Sequence, residues 1–157
     1  MRHVLSILML ASLAGCSVDR DPVRPPAPDT SIRTSVTIRP ATVAPGEPSE
    51  IVIRATNRGF VARTLHFSSG CLMGWRLRDA VGTVVAPGPR LCTDDAPSIT
   101  LAPGETMTQV FTWNGTRYDP SSGLFLIVPP GTYQLFGGLH EDGSGWTAGP
   151  VRVDVLP

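Results

Sequence analysis

From Arg33 onward, apolar and polar residues alternate with a period of two, in short runs separated by turns. In the run SEIVIRATN, for example, Ile51, Ile53 and Ala55 fall on one face. Alternation of this kind predicts strands that are buried on one face. The same pattern recurs in TSVTIRP, RTLHF, MGWRLRD, MTQVFTWN, TYQLFGGLH and VRVDVL.

The breaks between these runs are rich in glycine and proline. They include APGE at 44–47 and again at 102–105, APGP at 86–89 and PPGT at 129–132. Proline fixes φ and glycine supplies a positive φ, so such segments favour turns. Helical periodicity is not evident in this part of the sequence. The pattern therefore predicts an all-β domain over residues 33–157, an immunoglobulin-like antiparallel β-sandwich of seven or eight strands.

The chain begins differently. A short positive start, Met1-Arg2-His3, is followed by an apolar run from Val4 to Leu13 and by small residues up to Cys16. A membrane-spanning helix needs about 20 apolar residues, so this run is too short for one and is typical of a secretory signal. The tetrapeptide Leu-Ala-Gly-Cys at 13–16 resembles the lipobox of bacterial lipoproteins, in which the cysteine is lipidated and becomes the first mature residue. The alternative is an ordinary signal peptide with a cysteine near its cleavage site.

The lipobox interpretation divides the chain into a signal peptide at 1–15 and a tether at 16–32 that starts with the lipidated cysteine. Four prolines and three acidic residues lie in the tether after Cys16, with little to bury. A proline-rich segment of this length extends about 3.1 Å per residue and would reach roughly 50 Å. We therefore expect a protein of the bacterial cell envelope, held to a membrane by acyl chains. Ser17, where an acidic residue often directs inner-membrane retention, favours the outer membrane.

The charge pattern argues against nucleic acid as a partner. The chain has 13 arginines and lysines, all of them arginine, against 13 aspartates and glutamates. A balanced charge of this kind provides no basic field for recruiting nucleic acid.

Three cysteines occur in the chain. Lipidation of Cys16 leaves Cys71 and Cys92, which we expect to form a disulfide in an oxidising envelope compartment. The alternatives are two free thiols or half of a metal site. Zinc is disfavoured because the pair lacks a CxxC spacing and nearby histidines.

Four segments in order, ATNRGFVARTLHFSSG, WRLRDAVGTVV, LAPGETMTQVFTWNGT and VPPGTYQL, resemble the BsuPI-type intracellular proteinase inhibitor family. The resemblance covers residues 34–155 and implies an immunoglobulin-like sandwich and, for the founding member, inhibition of a serine protease. Trp113 and Tyr133 are interpreted as core or corner aromatics. This chain departs from the family name because it is expected to be exported and carries a cysteine pair. The matching positions are Asn57, Leu65, Phe67, Asp79, Gly82, Leu101, Pro103, Gly104, Glu105, Trp113, Gly115, Pro130, Gly131 and Tyr133.

Catalytic and metal-binding motifs are weak. No serine lies in a nucleophile elbow and no glycine-rich phosphate loop follows a strand, so we expect neither an enzyme nor a cofactor. His66 is predicted to face outward and His140 to end a strand. The acidic groups HED at 140–142 and DD at 94–95 are more typical of solvated turns than of a cation site.

Two loops are candidates for binding a partner. The segment APGPRLCTDDAP at 86–97 carries Leu91 beside Cys92, where the disulfide would restrain it. The segment YDPSSGLFLIVPPG at 118–131 carries five consecutive apolar residues, Leu124, Phe125, Leu126, Ile127 and Val128. Exposed apolar residues on a rigid scaffold often form partner surfaces. The alternative is that residues 124–128 form an extra strand or pack under the sandwich.

These observations favour a lipid-anchored binding module, with proteinase inhibition as the most specific hypothesis. The partner would be a serine protease or another envelope protein. A non-inhibitory module that binds envelope protein or cell wall is the main alternative, and metal binding is a remote third.

Overall fold

A computed structural model describes residues 31–88, 92–140 and 147–157. The predicted signal peptide, Cys16, most of the tether, Leu91 and the acidic pair at 141–142 lie outside these ranges. The described residues contain strands and turns and no helix, so no helix in this part of the chain is long and apolar enough to cross a membrane. The all-β fold class predicted from the alternating pattern is confirmed.

Twelve strands occur in the described part of the chain, more than the seven or eight predicted. All seven runs identified by their alternation contain strands. The additional strands have two to four residues each. The strands are β1 (Ile32–Arg39), β2 (Thr42–Val43), β3 (Ser49–Asn57), β4 (Arg63–His66), β5 (Met73–Arg78), β6 (Val84–Pro87), β7 (Ser98–Leu101), β8 (Thr106–Trp113), β9 (Thr116–Asp119), β10 (Leu124–Ile127), β11 (Gly131–Leu139) and β12 (Thr147–Val155).

Two main sheets face each other. One has the strand order β1-β3-β8 and the other β2-β12-β11-β5-β6. Neighbouring strands are antiparallel except for the short parallel pair of β2 and β12. In the immunoglobulin fold, strands A, B and E form one sheet and strands C, F and G the other. The strands β1, β3 and β8 take the first set of positions, and β5, β11 and β12 take the second.

The inward faces of both sheets form one hydrophobic core. Ile51, Ile53 and Ala55 of β3 are fully buried, as their alternation predicted, and so are Leu135 of β11 and Val153 of β12. Burial of this kind is the main favourable term in folding, about 1.5–3 kcal/mol for each large aliphatic side chain. The two sheets therefore share one core.

The two sheets approach closely at Gly137 of β11. A Cβ atom on this residue would lie 2.9 Å from Cγ2 of Val36 and 3.0 Å from Cδ1 of Ile53, both on the opposite sheet. A methyl group at this position would overpack the core, so the glycine sets the separation of the sheets here.

The sandwich has two distinct ends. At the first, here called the N-terminal end, Ile32 pairs with Asn57 and the turn at 102–105 closes over the end of β3. At the second, here called the hairpin end, the backbone N–H of Gly46 donates to the carbonyl of Asn114 at 3.0 Å. The connection between β8 and β11 starts there and contains β9 and β10. The chain thus enters the domain at one end and projects a hairpin from the other.

Candidate binding surfaces

The segment Leu124–Ile127 forms strand β10, which pairs with β9 as a separate two-stranded hairpin. The extra strand considered from the sequence is present, and it lies outside the two main sheets. Because it pairs only with β9 among the described strands, its side chains do not become part of the inward face of either sheet. An apolar stretch is thereby held near the surface.

The five apolar residues of this segment divide between surface and core. Phe125 is 72% exposed, Leu124 60% and Ile127 59%, whereas Leu126 is half-buried and Val128 is fully buried. The backbone N–H of Val128 donates to the carbonyl of Gly115 at 2.8 Å. Val128 therefore ties the hairpin to the sandwich and must be removed from the set of exposed candidates, because its side chain is part of the core.

Phe125 and Tyr118 form an aromatic pair on the outer face of the hairpin. They are register partners, and their rings make an edge-to-face contact with centroids 5.5 Å apart. Ile127 lies on the same face, two residues along β10. An edge-to-face pair restrains both rings, so Phe125 is presented in a defined position.

The turn of the hairpin is held by Asp119. Its carboxylate accepts hydrogen bonds from the hydroxyls of Ser122 and Ser121 and from the backbone N–H of Ser121, at 2.7–3.2 Å. These bonds, that of Ser122 first, lower the pKa of Asp119 below its usual range. A lowered pKa means that the bonds stabilise the turn at neutral pH and are lost as the pH falls through that pKa. The ionised carboxylate therefore favours the closed turn at neutral pH.

A shallow cleft of about 330 Å³ separates the base of the hairpin from strand β6. Its wall includes Arg117, the register partner of Leu126. Because this face of the hairpin is turned towards the cleft, Arg117 and Leu126 are less exposed than Phe125 and Ile127 on the outer face. The lining residues are Asp79, Val84, Val85, Arg117, Pro129 and Tyr133. The cleft leaves the outer face of the hairpin free of the main sheets.

Cys71 and Cys92 form the predicted disulfide, with their Cα atoms 5.1 Å apart. Cys71 is buried and Cys92 is exposed. The backbone N–H of Gly70 also donates to the carbonyl of Thr93 at 2.9 Å. The bridge therefore joins the 86–97 segment to the start of β5. Leu91 lies outside the described residues, and its candidate role stays a prediction.

A second exposed apolar site was missed by sequence analysis. Phe60 is 99% exposed and Val61 is 74% exposed, in the loop that joins β3 to β4. Asn57, fully buried at the end of β3, donates from Nδ2 to the carbonyls of Val61 and Leu101, at 2.8 and 2.9 Å. Its Oδ1 accepts from the backbone N–H of Gly59 at 2.9 Å. The sequence contains a signal for this site, the adjacent apolar residues Phe60 and Val61 between the end of β3 and Arg63. The sequence alone does not show whether such a pair is exposed or buried in the core.

Residues in the family-like motifs act as scaffold. The hydroxyl of Tyr133, near the start of β11, donates to the carbonyl of Pro129 at 2.8 Å, the arrangement known as a tyrosine corner in immunoglobulin-like domains. The indole of Trp113 donates to the carbonyl of Thr116 at 2.7 Å and contacts the ring of Trp75. The interpretation of Trp113 and Tyr133 as core and corner aromatics agrees with their burial.

His66, His140 and the acidic pair at 94–95 are exposed to solvent. His66 is exposed and shares a hydrogen bond of 2.9 Å with Ser98, its cross-strand neighbour, next to a similar pair of Thr64 and Thr100. Asp94 and Asp95 are exposed. Within residues 31–88, 92–140 and 147–157, no three histidine, cysteine, aspartate or glutamate residues are grouped closely enough to hold a metal ion.

Comparison with known proteins shows a shared fold. No protein-family model matches the chain, and no curated protein matches it. A Pseudomonas fluorescens structure, the alkylpurine DNA glycosylase AlkC bound to DNA with an abasic-site analogue, superposes with a TM-score of 0.51 at 12% identity, over 81% of this chain and 31% of that one. This similarity supports a common fold and nothing about activity.

Two other solved structures are more distant. A β-glucosidase from Erythrobacter marinus gives a TM-score of 0.48 at 15% identity, over 80% of this chain and 15% of that one. A CARDB domain from Pyrococcus furiosus, in complex with di-metal ions, gives 0.45 at 15% identity, over 80% of this chain and 87% of that one. The chain thus spans less than a third of the length of AlkC and of the β-glucosidase.

Two substitutions in one segment distinguish surface from core. We expect Phe125→Ala to lower the free energy of unfolding by at most about 1 kcal/mol, the worth of an exposed aromatic pair. We expect Val128→Ala, three residues away and fully buried, to lower it by about 2 kcal/mol. Urea unfolding followed by circular dichroism measures both. A loss of more than about 3 kcal/mol for Phe125→Ala would place its ring in the core.

Proposed function

We propose that this protein is a lipid-anchored binding module of the bacterial cell envelope that presents the outer face of the β9–β10 hairpin to a protein partner. The observation that carries the proposal is the exposure of Phe125, Ile127 and Tyr118 on one face of a hairpin whose turn is hydrogen-bonded. Contiguous exposed apolar side chains on a rigid frame are typical of interaction sites.

The chemistry of the surface suits a protein partner. Phe125 and Tyr118 supply an aromatic pair, and aromatic side chains concentrate binding energy at protein interfaces. The serine–aspartate hydrogen bonds restrain the hairpin before binding, which lowers the entropy lost on association.

Proteinase inhibition is the most specific form of this proposal. It is supported by the resemblance of residues 34–155 to the BsuPI-type family and by the rigidity of the hairpin. A non-inhibitory envelope module is the alternative form, since fold alone does not fix function. Both forms use the same surface and differ in the partner.

The partner can be tested by site-specific crosslinking in the cell. A photoreactive amino acid replaces Phe125 in one variant and the exposed Val110 of β8 in a matched control. The proposal predicts a defined crosslinked protein from position 125 and none from position 110. A serine protease as the product would favour inhibition, which titration of the purified chain against that protease then measures. Absence of a product at position 125, or the same products at both positions, would refute the hairpin as the partner surface.

The anchor is tested separately. Cys16→Ser removes the thiol that the lipobox supplies, and we expect the variant to leave the membrane fraction or to remain unprocessed. Stable attachment needs more than one acyl chain because each buried CH₂ contributes only about 0.8 kcal/mol. Fractionation and intact mass measure the result. A Cys16→Ser protein that is mature and still behaves as an integral membrane component would contradict lipid anchoring.

A further inference from the structure

The loop at 57–62 holds two apolar side chains clear of the domain. Phe60 is almost fully exposed and Val61 is largely exposed, yet the backbone that carries them is hydrogen-bonded to the side chain of Asn57. The backbone N–H of Arg58 also donates to the carbonyl of Ser31. The rigidity of the loop therefore does not depend on burying Phe60 or Val61, and this leaves both free to contact a partner.

The loop lies where the polypeptide enters the domain. Ser31, the first described residue, is bonded to the loop through Arg58, and Ile32 pairs with Asn57. The predicted tether connects Ser31 to Cys16, fifteen residues earlier. If Cys16 is lipidated as proposed above, the end of the sandwich that carries Phe60 is the end joined to the membrane. The hairpin with Phe125 lies at the other end.

Two exposed arginines lie near the loop in sequence and register. Arg58 is part of the loop, and Arg33 pairs with Thr56 just before it. Arg63 at the start of β4 is half-buried, and its Nη1 donates to the carbonyl of Thr64 at 3.3 Å. The neighbouring turn carries one acidic residue, Glu105, whose carboxylate already accepts a hydrogen bond from the backbone N–H of Ala102 at 2.7 Å. In an anionic membrane surface, acyl chains lie beneath negatively charged headgroups. Apolar side chains at the tip of the loop suit the acyl region, and the neighbouring arginines suit the headgroups.

We propose that Phe60 and Val61 insert into the surface of a bilayer that contains anionic lipid, with Arg58 and Arg33 in contact with the headgroups. This inference rests on the proposed anchoring, because the tether brings the loop to the membrane. A protein ligand is the less favoured occupant, since the loop is bent at residues 59–61 and does not offer an extended segment for pairing with another chain.

The test uses residues 16–157 with Cys16→Ser, so that no lipid is attached and the whole described domain is retained. Binding is measured by co-sedimentation with vesicles of phosphatidylethanolamine and phosphatidylglycerol, and with vesicles of phosphatidylcholine alone. We expect the parent to prefer the anionic vesicles. We expect Phe60→Ser with Val61→Ser to lower partitioning about tenfold or more, because insertion scales with buried apolar area. Arg58→Glu should weaken binding to the anionic vesicles more than to the neutral ones.

Val81→Ser is the matched control, because Val81 is also highly exposed but lies in the turn after β5. It should bind vesicles as the parent does. Thermal unfolding of each variant shows whether the fold is retained. The inference is overturned if the parent binds no better than the double variant, if Val81→Ser lowers binding equally, or if a photoreactive group at position 60 captures a protein in the cell. These results leave the Cys16 experiment unaffected, so failure of the loop and failure of the anchor are distinguishable.

Discussion

Replacing Asn57 by alanine is expected to lower the free energy of unfolding by about 3–4 kcal/mol, because the substitution leaves three buried or partly buried backbone groups without partners. The carbonyls of Val61 and Leu101 lose their donor, and the N–H of Gly59 loses its acceptor. Water does not easily replace the bond to the carbonyl of Leu101, which is buried. Urea unfolding monitored by tryptophan fluorescence measures the loss.

Two further variants identify the cause. Asn57→Asp keeps the acceptor for Gly59 but places a carboxylate against two carbonyl oxygens, so we expect it to be at least as destabilising. Asn114→Ala changes the same residue type at an exposed turn and should alter stability by less than about 0.5 kcal/mol. If Asn57→Ala loses under about 1 kcal/mol, the hydrogen bonds of its amide do not carry the stability assigned to them.

Removal of the Cys71–Cys92 disulfide is expected to lower stability by about 2–4 kcal/mol without abolishing the β-rich fold. The sequence separation of the cysteines is 21, and closing a loop of this length restricts the unfolded chain by about 3 kcal/mol in the chain-entropy model. The core strands do not depend on the bridge, because Ile51, Ile53 and Leu135 are buried by the packing of the two main sheets.

The comparison is between the parent, oxidised and reduced, and a variant with Cys71→Ala and Cys92→Ala. Reductant should shift the urea midpoint of the parent towards that of the variant and leave the variant unchanged. Intact mass of the protein isolated from cells provides the decisive check. Two free thiols at positions 71 and 92 would show that the bridge does not form in the cell.

The period of two in the sequence was sufficient to predict the seven main runs and their buried faces. Alternation over five or more residues records which side of a strand faces the core, so Ile51, Ile53 and Ala55 could be placed before the fold was known. The pairing of Cys71 with Cys92 followed from counting cysteines. Strands β2, β6, β7 and β9 have two to four residues each and were not predicted. Strand β4 is as short, but its run RTLHF continues to the buried Phe67, which made the alternation visible.

The exposed surfaces were harder to predict, because an apolar sequence does not show whether a segment lies in the core or on the surface. Residues 124–128 could be a buried strand or a surface, and the answer depends on β10 pairing with β9 away from the main sheets. Phe60 and Val61 were missed for a related reason. Their exposure depends on Asn57, whose long-range bond to Leu101 joins residues 44 positions apart and cannot be derived from local sequence.

Because the chain enters at one end of the sandwich and the hairpin lies at the other, the length of the domain separates the two. Strand β3 has nine residues and runs between the two ends, which at about 3.3 Å per residue corresponds to roughly 30 Å. With its entry end against a bilayer, the folded domain would hold the base of the hairpin at about that distance from the membrane, whatever the conformation of the tether. Full extension of the tether would add roughly 50 Å to this distance. The fold would thus set the smallest distance from the membrane at which the hairpin can bind a partner, and the length of the proline-rich tether would set the largest.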